Sequence, residues 1–175
     1  MKIAFLTQYY PPEIGASQAR LSGLAAALQR RGHAVTVLTA KPNYPGGRTH
    51  AGYPGLVHRE MRDGVPVLRT FIYPTQKADF LRRTFSYCSF VLASAVVGTF
   101  CLERPDYLIV ESPPLLLGLA GIWLSWVKRC PMIFNVSDLW PESAVRLGVL
   151  RAGSVSHRLS TWPERFCYRR AVLVT

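Results

Sequence analysis

The apolar positions change period several times along the chain. Lys2 to Thr7 is a short apolar run with one polar flank, the pattern of a strand covered on both faces. From Ala16 onward, Ala19, Leu21, Leu24, Ala25 and Leu28 recur at helical spacing as far as Arg30-Arg31-Gly32. The glycine supplies a stop, and the two arginines lie where the helix dipole is negative. Ala34 to Thr39 is rich in β-branched residues and predicts a second strand. A strand-helix-strand unit of this size predicts two parallel strands joined by a right-handed crossover.

Proline and glycine then crowd Lys41 to Gly55, which predicts a long loop. Val57 to Met61 and Val65 to Tyr73 flank Arg62-Asp63-Gly64 and predict a hairpin at a sheet edge. Lys77 to Glu103 predicts one long helix or two abutting ones, ended by Pro105-Asp106. Tyr107 to Glu111 predicts a strand, Pro114 towards Arg129 a helix, and Met132 to Val136 a strand. Val155 to Arg170 predicts a further helix, and Ala171 to Thr175 the start of another strand. Such alternation predicts an α/β fold, an open parallel sheet with helices on both faces, forming one domain over residues 1–175. Ligands of such sheets lie beyond the carboxyl ends of the strands. The segments of interest are therefore Gln8 to Ser17, Lys41 to Gly55, Ser112 to Pro114 and Ser137 to Ser143.

Composition narrows the function. With 175 residues and 49% hydrophobic content, the chain is neither disordered nor in need of disulfides or metal to hold a core. Its four cysteines stand apart with no C-x-x-C pair, which fits reduced thiols in a cytoplasm. The apolar run at the start is too short for a signal peptide. The net charge of +11 comes mostly from arginine, whose planar fork favours phosphate partners. No charge interrupts the chain between Arg83 and Glu103, which meets the length test for a membrane span. Ser86, Ser89, Ser94, Gly98 and Thr99 dilute that segment, so a buried or membrane-resting helix is the favoured expectation.

Three stretches carry candidate chemistry. Gly15-Ala16-Ser17 opens the first helix, where backbone N–H groups can meet an anion, although a role in the turn alone explains Gly15 equally well. There is no G-x-G-x-x-G and no Walker lysine, and no Asp and His follow to complete a hydrolase triad around Ser17. Ser137-Asp138-Leu139-Trp140-Pro141-Glu142-Ser143 leaves a strand with two carboxylates beside an aromatic wall, an arrangement that can orient sugar hydroxyls or take a proton from one. The plainer alternative has Asp138 capping a helix and Trp140 in the core. Arg82-Arg83 precedes Phe85, Tyr87 and Phe90, as in a protein resting on anionic lipid, against the alternative of ordinary solvated arginines. No nucleic-acid recognition module is present, and the His and Cys spacing supplies no metal ligand set.

These residues together carry a resemblance. Lys2 to Leu6 leading to Tyr10-Pro11-Pro12-Glu13-Ile14-Gly15-Ala16, then Leu28 to Thr39, is similar to the opening of family 4 GT-B glycosyltransferases. Asp106 to Pro114 and Asp138 to Ser143 resemble the branch that builds bacterial exopolysaccharide and O-antigen, including colanic acid. The resemblance implies the Rossmann-like, acceptor-binding amino half of a retaining transferase, with the donor-binding carboxyl half lying beyond Thr175 and this part inactive alone. It implies a nucleotide sugar as co-substrate without metal or other cofactor, a polyprenyl-diphosphate-linked acceptor, and a peripheral place on the cytoplasmic face of the membrane. By the same resemblance Asp138 is the catalytic candidate, Glu142, Arg20, Arg82 and Arg83 are acceptor contacts, and Gly15 and Ala16 face the donor diphosphate. Two departures stand out: Ser137 occupies the place of a frequent histidine, and Ala16 that of a paired glycine. The alternatives are a non-catalytic membrane subunit of a bipartite transferase and an anionic-lipid-binding module.

Overall fold

The computed structural model describes residues 1–75, 80–138 and 155–175. The elements are β1 (Lys2–Thr7), α1 (Ala16–Arg30), β2 (Ala34–Ala40), β3 (Val57–Arg62), β4 (Val65–Thr70), α2 (Phe80–Cys101), β5 (Tyr107–Ser112), α3 (Leu117–Lys128), β6 (Met132–Val136), α4 (Val155–Arg170) and β7 (Leu173–Val174). They form a seven-stranded sheet in the order β3-β4-β2-β1-β5-β6-β7. Every pair is parallel except β3 with β4. Without the β3 edge, the strands spread outward from β1 in the order of a doubly wound, Rossmann-like sheet. The reversal of connection falls between β1 and β5, with β1 leading through α1 to β2 on one side and β4 leading through α2 to β5 on the other.

Alternation along the strands explains the two layers. Ile3 and Phe5 of β1 point with Val35 and Val37 of β2 to one face, where Leu21 and Ala25 of α1 cover them. Ala4 and Leu6 point with Leu38 to the other face, under Phe90 of α2 and Leu117, Ala120 and Leu124 of α3. The period of two within a buried strand thus supplies a core to each helix layer.

The predicted elements form, with two larger differences in their boundaries. The edge hairpin forms as expected, with Asp63 at φ 50° and Gly64 at φ 80°, so both central turn residues take the left-handed conformation that matches strand twist. Strand β4 stops at Thr70, short of the predicted Tyr73, because its partner β3 begins at Val57 opposite Thr70 and leaves no further ladder. Helix α3 begins at Leu117, because the turn before it is closed by tighter bonds three residues apart, from the Leu117 N–H to the Pro114 carbonyl at 2.9 Å and from the Gly118 N–H to the Leu115 carbonyl at 3.0 Å. Gly32 ends α1 as predicted, at φ 84° with its N–H on the Gln29 carbonyl at 2.9 Å.

Helix α2 is a core helix on one side and open on the other. Ser86, Phe90, Ser94 and Gly98 are buried at a spacing of one helical turn. A Cβ on Gly98 would stand 2.7 Å from Leu124 Cδ1 and 3.0 Å from Leu38 Cδ2, so this face approaches α3 and the sheet closely. The opposite face, Leu81, Phe85, Leu92, Val96 and Phe100, is exposed. Its length and hydropathy suit a membrane crossing. The helix also packs against β2, β4 and α3 as part of the domain.

Candidate functional site

At the carboxyl edge of the sheet, next to the connection reversal, a carboxylate organises three elements. Glu111 ends the apolar stretch of β5 and is buried. Its Oε1 accepts from the Arg20 guanidinium of α1 at 2.6 Å and from the Ser137 hydroxyl just past β6. Its Oε2 accepts from Asn135 Nδ2. Arg20 also donates to Ser137 Oγ at 2.7 Å, and the Thr175 hydroxyl donates to Asn135 Oδ1 at 2.8 Å. Charge-assisted bonds of this kind are the strong ones, and a buried carboxylate requires them. The network joins α1, β5 and β6, and Asp138 follows Ser137 on the exposed rim.

Beside it, the loop between β1 and α1 is fixed from below. Glu13 is buried, and its Oε1 accepts the backbone N–H groups of Asn43 and Tyr44 at 2.9 Å each, clamping this loop to the one after β2. Its Oε2 is buried with no hydrogen-bond partner. Burial pushes the Glu13 carboxyl above the usual glutamate range, and the N–H groups of Asn43, Tyr44 and Tyr10 only partly offset this. Arg69, wholly buried in β4, supports the same loops. Its Nε donates to Glu60 Oε1 at 2.7 Å and its Nη1 to the Ala40 carbonyl at 3.1 Å, while Nη2 reaches the Pro11 carbonyl. Lys41 ties the long loop by donating to the Pro54 and Gly55 carbonyls.

Between these loops and the start of α2 lies a cavity of about 260 Å³, whose walls include Gln8, Tyr9, Asn43, Tyr44, Arg83 and Tyr87. Arg83 donates to the Tyr87 hydroxyl at 3.3 Å. Burial, with Tyr87 and Glu13 nearby, pushes the Tyr9 phenol up to about 12, so it stays a neutral donor. Gln8 Oε1 is buried without a hydrogen-bond partner. The cavity therefore combines a cation, phenolic hydroxyls and aromatic edges, a lining suited to an anionic ligand bearing hydroxyl groups.

The candidates from the sequence separate into two groups. Arg20 bonds Glu111 and bridges from α1 to Ser137 at the end of β6, where Asp138 follows, while Gly15 and Ala16 stand at the start of α1. Gly15 has φ 173°, ordinary extended backbone, so the turn does not require glycine there. The first turn of α1 has no side-chain cap and no acidic residue, and Gly15 and Ala16 are exposed. Arg83 lies instead in the cavity wall, and Arg82 is exposed on the first turn of α2. Glu142 lies outside the described residues. Glu111, Asn135, Glu13 and the cavity residues Gln8 and Tyr9 were not singled out from the sequence. The available signal was an acid closing an otherwise apolar strand, in Tyr107-Leu108-Ile109-Val110-Glu111. Among the described residues no three His, Cys, Asp or Glu side chains converge as a metal site would need.

Residues 15–175 match a family described as glycosyl transferase 4-like domain. The fold is similar to that of the sucrose-phosphate synthase from Thermosynechococcus elongatus, with a TM-score of 0.61, 16% identity, and coverage of 99% of this chain and 41% of that one. It is also similar to the catalytic domain of starch synthase IV from Arabidopsis thaliana bound to ADP and acarbose, with a TM-score of 0.56, 14% identity, and coverage of 77% of this chain and 33% of that one. The chain thus spans well under half the length of either. The comparison with curated proteins found no match.

Proposed function

The chain belongs to the glycosyl transferase 4-like family, and from that premise we propose that it is the acceptor-holding half of a retaining GT-B enzyme. That enzyme moves a sugar from a nucleotide sugar to a polyprenyl-diphosphate-linked glycan at the cytoplasmic membrane face, in bacterial surface polysaccharide synthesis. The observation that carries this reading is the Glu111 network, which fixes α1, β5 and β6 around the connection reversal and leaves Asp138 free to meet solvent beside them.

In the proposed reaction, the bond between the anomeric carbon and the donor diphosphate oxygen breaks as the acceptor oxygen bonds to that carbon on the same face. The acceptor proton leaves to Asp138 or to the departing diphosphate. Asp138 orients the acceptor hydroxyl, and Glu142 makes a second contact to the same sugar. The uncapped N–H groups at Gly15 and Ala16 face the negative charge that grows on the diphosphate, where prearranged dipoles act most strongly. Arg20 acts through Glu111 and Ser137 by holding the rim in place, and Arg83, with Arg82 beside it, meets the acceptor's phosphates. No metal enters the scheme. A second domain holds the donor, so this part alone does not turn over.

The test measures transfer of labelled sugar from a panel of nucleotide sugars to bacterial lipid extract, with a donor-binding domain supplied in the same polypeptide. Asp138→Asn is expected to lower the rate about a hundredfold or more without changing the fold. Equal rates for the two proteins, or no transfer from any donor, would refute the reading. The exposed apolar face of α2 favours a second reading, a non-catalytic membrane subunit, which predicts lipid binding and full insensitivity of its partner's transfer to Asp138→Asn.

A further inference from the structure

Helix α2 has its amphipathic character turned outward. Against the sheet and α3 it places Ser86, Phe90, Ser94 and Gly98, three of them small. Towards solvent it places Leu81, Phe85, Leu92, Val96 and Phe100, exposed by 74, 61, 68, 58 and 83%. In water this arrangement leaves apolar surface uncovered that burial would stabilise, and so broad a patch marks a contact surface. The patch continues onto α3, where Trp126 is 72% exposed and packs with Trp123 at a ring separation of 5.6 Å. Trp123 Nε1 donates to Thr99 Oγ1 at 3.0 Å, which holds the indole pair beside Phe100.

The charges around the patch are mostly cationic, and the acid at its edge, Glu103, is paired with Lys2 Nζ at 2.8 Å. Neither α2 nor α3 contains an acidic residue. Arg82 and Arg83 stand at one end of the stripe. Lys128 stands at the other, with Arg104 and Arg129 just past the helix ends. Lys128 Nζ donates to the Thr99 carbonyl at 2.7 Å, which fixes that cation beside the apolar surface. At about 1.5 Å per residue the stripe runs roughly 29 Å between its cationic ends.

We propose that this face of α2 and α3 rests on an anionic lipid bilayer, with α2 in the plane of the membrane. Acyl chains meet Leu81, Phe85, Leu92, Val96 and Phe100, the indoles sit at the headgroup level, and lipid phosphates meet the cations at both ends. A second copy of the chain fits this face poorly, because either orientation of two stripes brings cationic ends together. The buried face of the same helix packs on Leu38 and Leu124, so the contact is one-sided. This inference rests on the membrane placement in the proposed function, names the face that makes the contact, and needs no catalytic step.

Flotation of the chain with phosphatidylcholine vesicles, with and without phosphatidylglycerol, tests it directly. The wild type is expected to float with the anionic vesicles, with a blue shift of indole emission and quenching by brominated acyl chains. The combined substitution Leu92→Ser, Val96→Ser and Phe100→Ser, all at exposed positions, is expected to lower partitioning about tenfold or more while the circular dichroism stays unchanged. Arg82→Glu with Lys128→Glu is expected to weaken binding to the anionic vesicles and to reduce its salt dependence. Failure of the wild type to float, equal binding by the triple variant, or equal binding to neutral vesicles overturns the proposal. So does a dimer in sedimentation that the triple variant abolishes without any vesicle binding. Since no nucleotide sugar is present, loss of transfer activity and loss of membrane contact are read separately.

Discussion

Glu13 carries a cost that depends on pH. Its raised folded-state pKa means that the native protein holds this proton more tightly than the unfolded chain. Stability at this position is therefore greatest below the ordinary glutamate range and falls as pH rises from there through the folded value. Glu13→Gln keeps an acceptor for the Asn43 and Tyr44 N–H groups and removes the charge. Urea unfolding across pH is expected to show the variant more stable than wild type at neutral pH, the gain vanishing as the pH approaches that of a free glutamate. Arg69 behaves oppositely, since its removal takes the buried partner from Glu60 and leaves the Ala40 and Pro11 carbonyls without their donor. Arg69→Met is expected to lower stability by about 3 to 5 kcal/mol, read from the shift in denaturation midpoint. The position of Asp138 at the carboxyl edge of the sheet was legible in the sequence because it follows the end of β6 by two residues. The partnership of Arg20 with Glu111 was not, because it joins positions 91 apart and periodicity carries no information about contacts at that range.

The elements themselves follow from period and punctuation. Buried strands such as β1 and β5 read as apolar runs, and Asp63-Gly64 announces its hairpin through the backbone conformations it tolerates. What escaped was which face of α2 turns inward. A helix with apolar residues nearly all round gives two candidate faces, and close approach settles the matter here: the Ser and Gly face lets the backbone near Leu124 and Leu38, where the bulkier face does not fit. Gly98→Val is accordingly expected to cost about 1 to 3 kcal/mol through overpacking, seen as a lower melting temperature with unchanged secondary structure. The same substitution at Gly23 of α1, where nothing stands within 4 Å, is expected to leave the melting temperature nearly unchanged or to raise it slightly.

At the scale of the whole molecule, the sheet order places the Glu111 rim and the Arg83 cavity on one edge, and α2 starts at that edge. The doubly wound architecture was foreseeable from strand and helix alternation. The cavity was not, because its walls come from separate segments whose nearness depends on how the sheet twists and how Glu13 and Arg69 draw the loops together. Helix α2 carries Arg83 in its first turns and the apolar stripe along its whole length, so a single rigid rod sets the level of the cavity mouth relative to any bilayer beneath it. A substrate tethered by a long isoprenoid tail would then never leave its leaflet. It would drift sideways until its head met the pocket, and the search for it would take place in two dimensions instead of three.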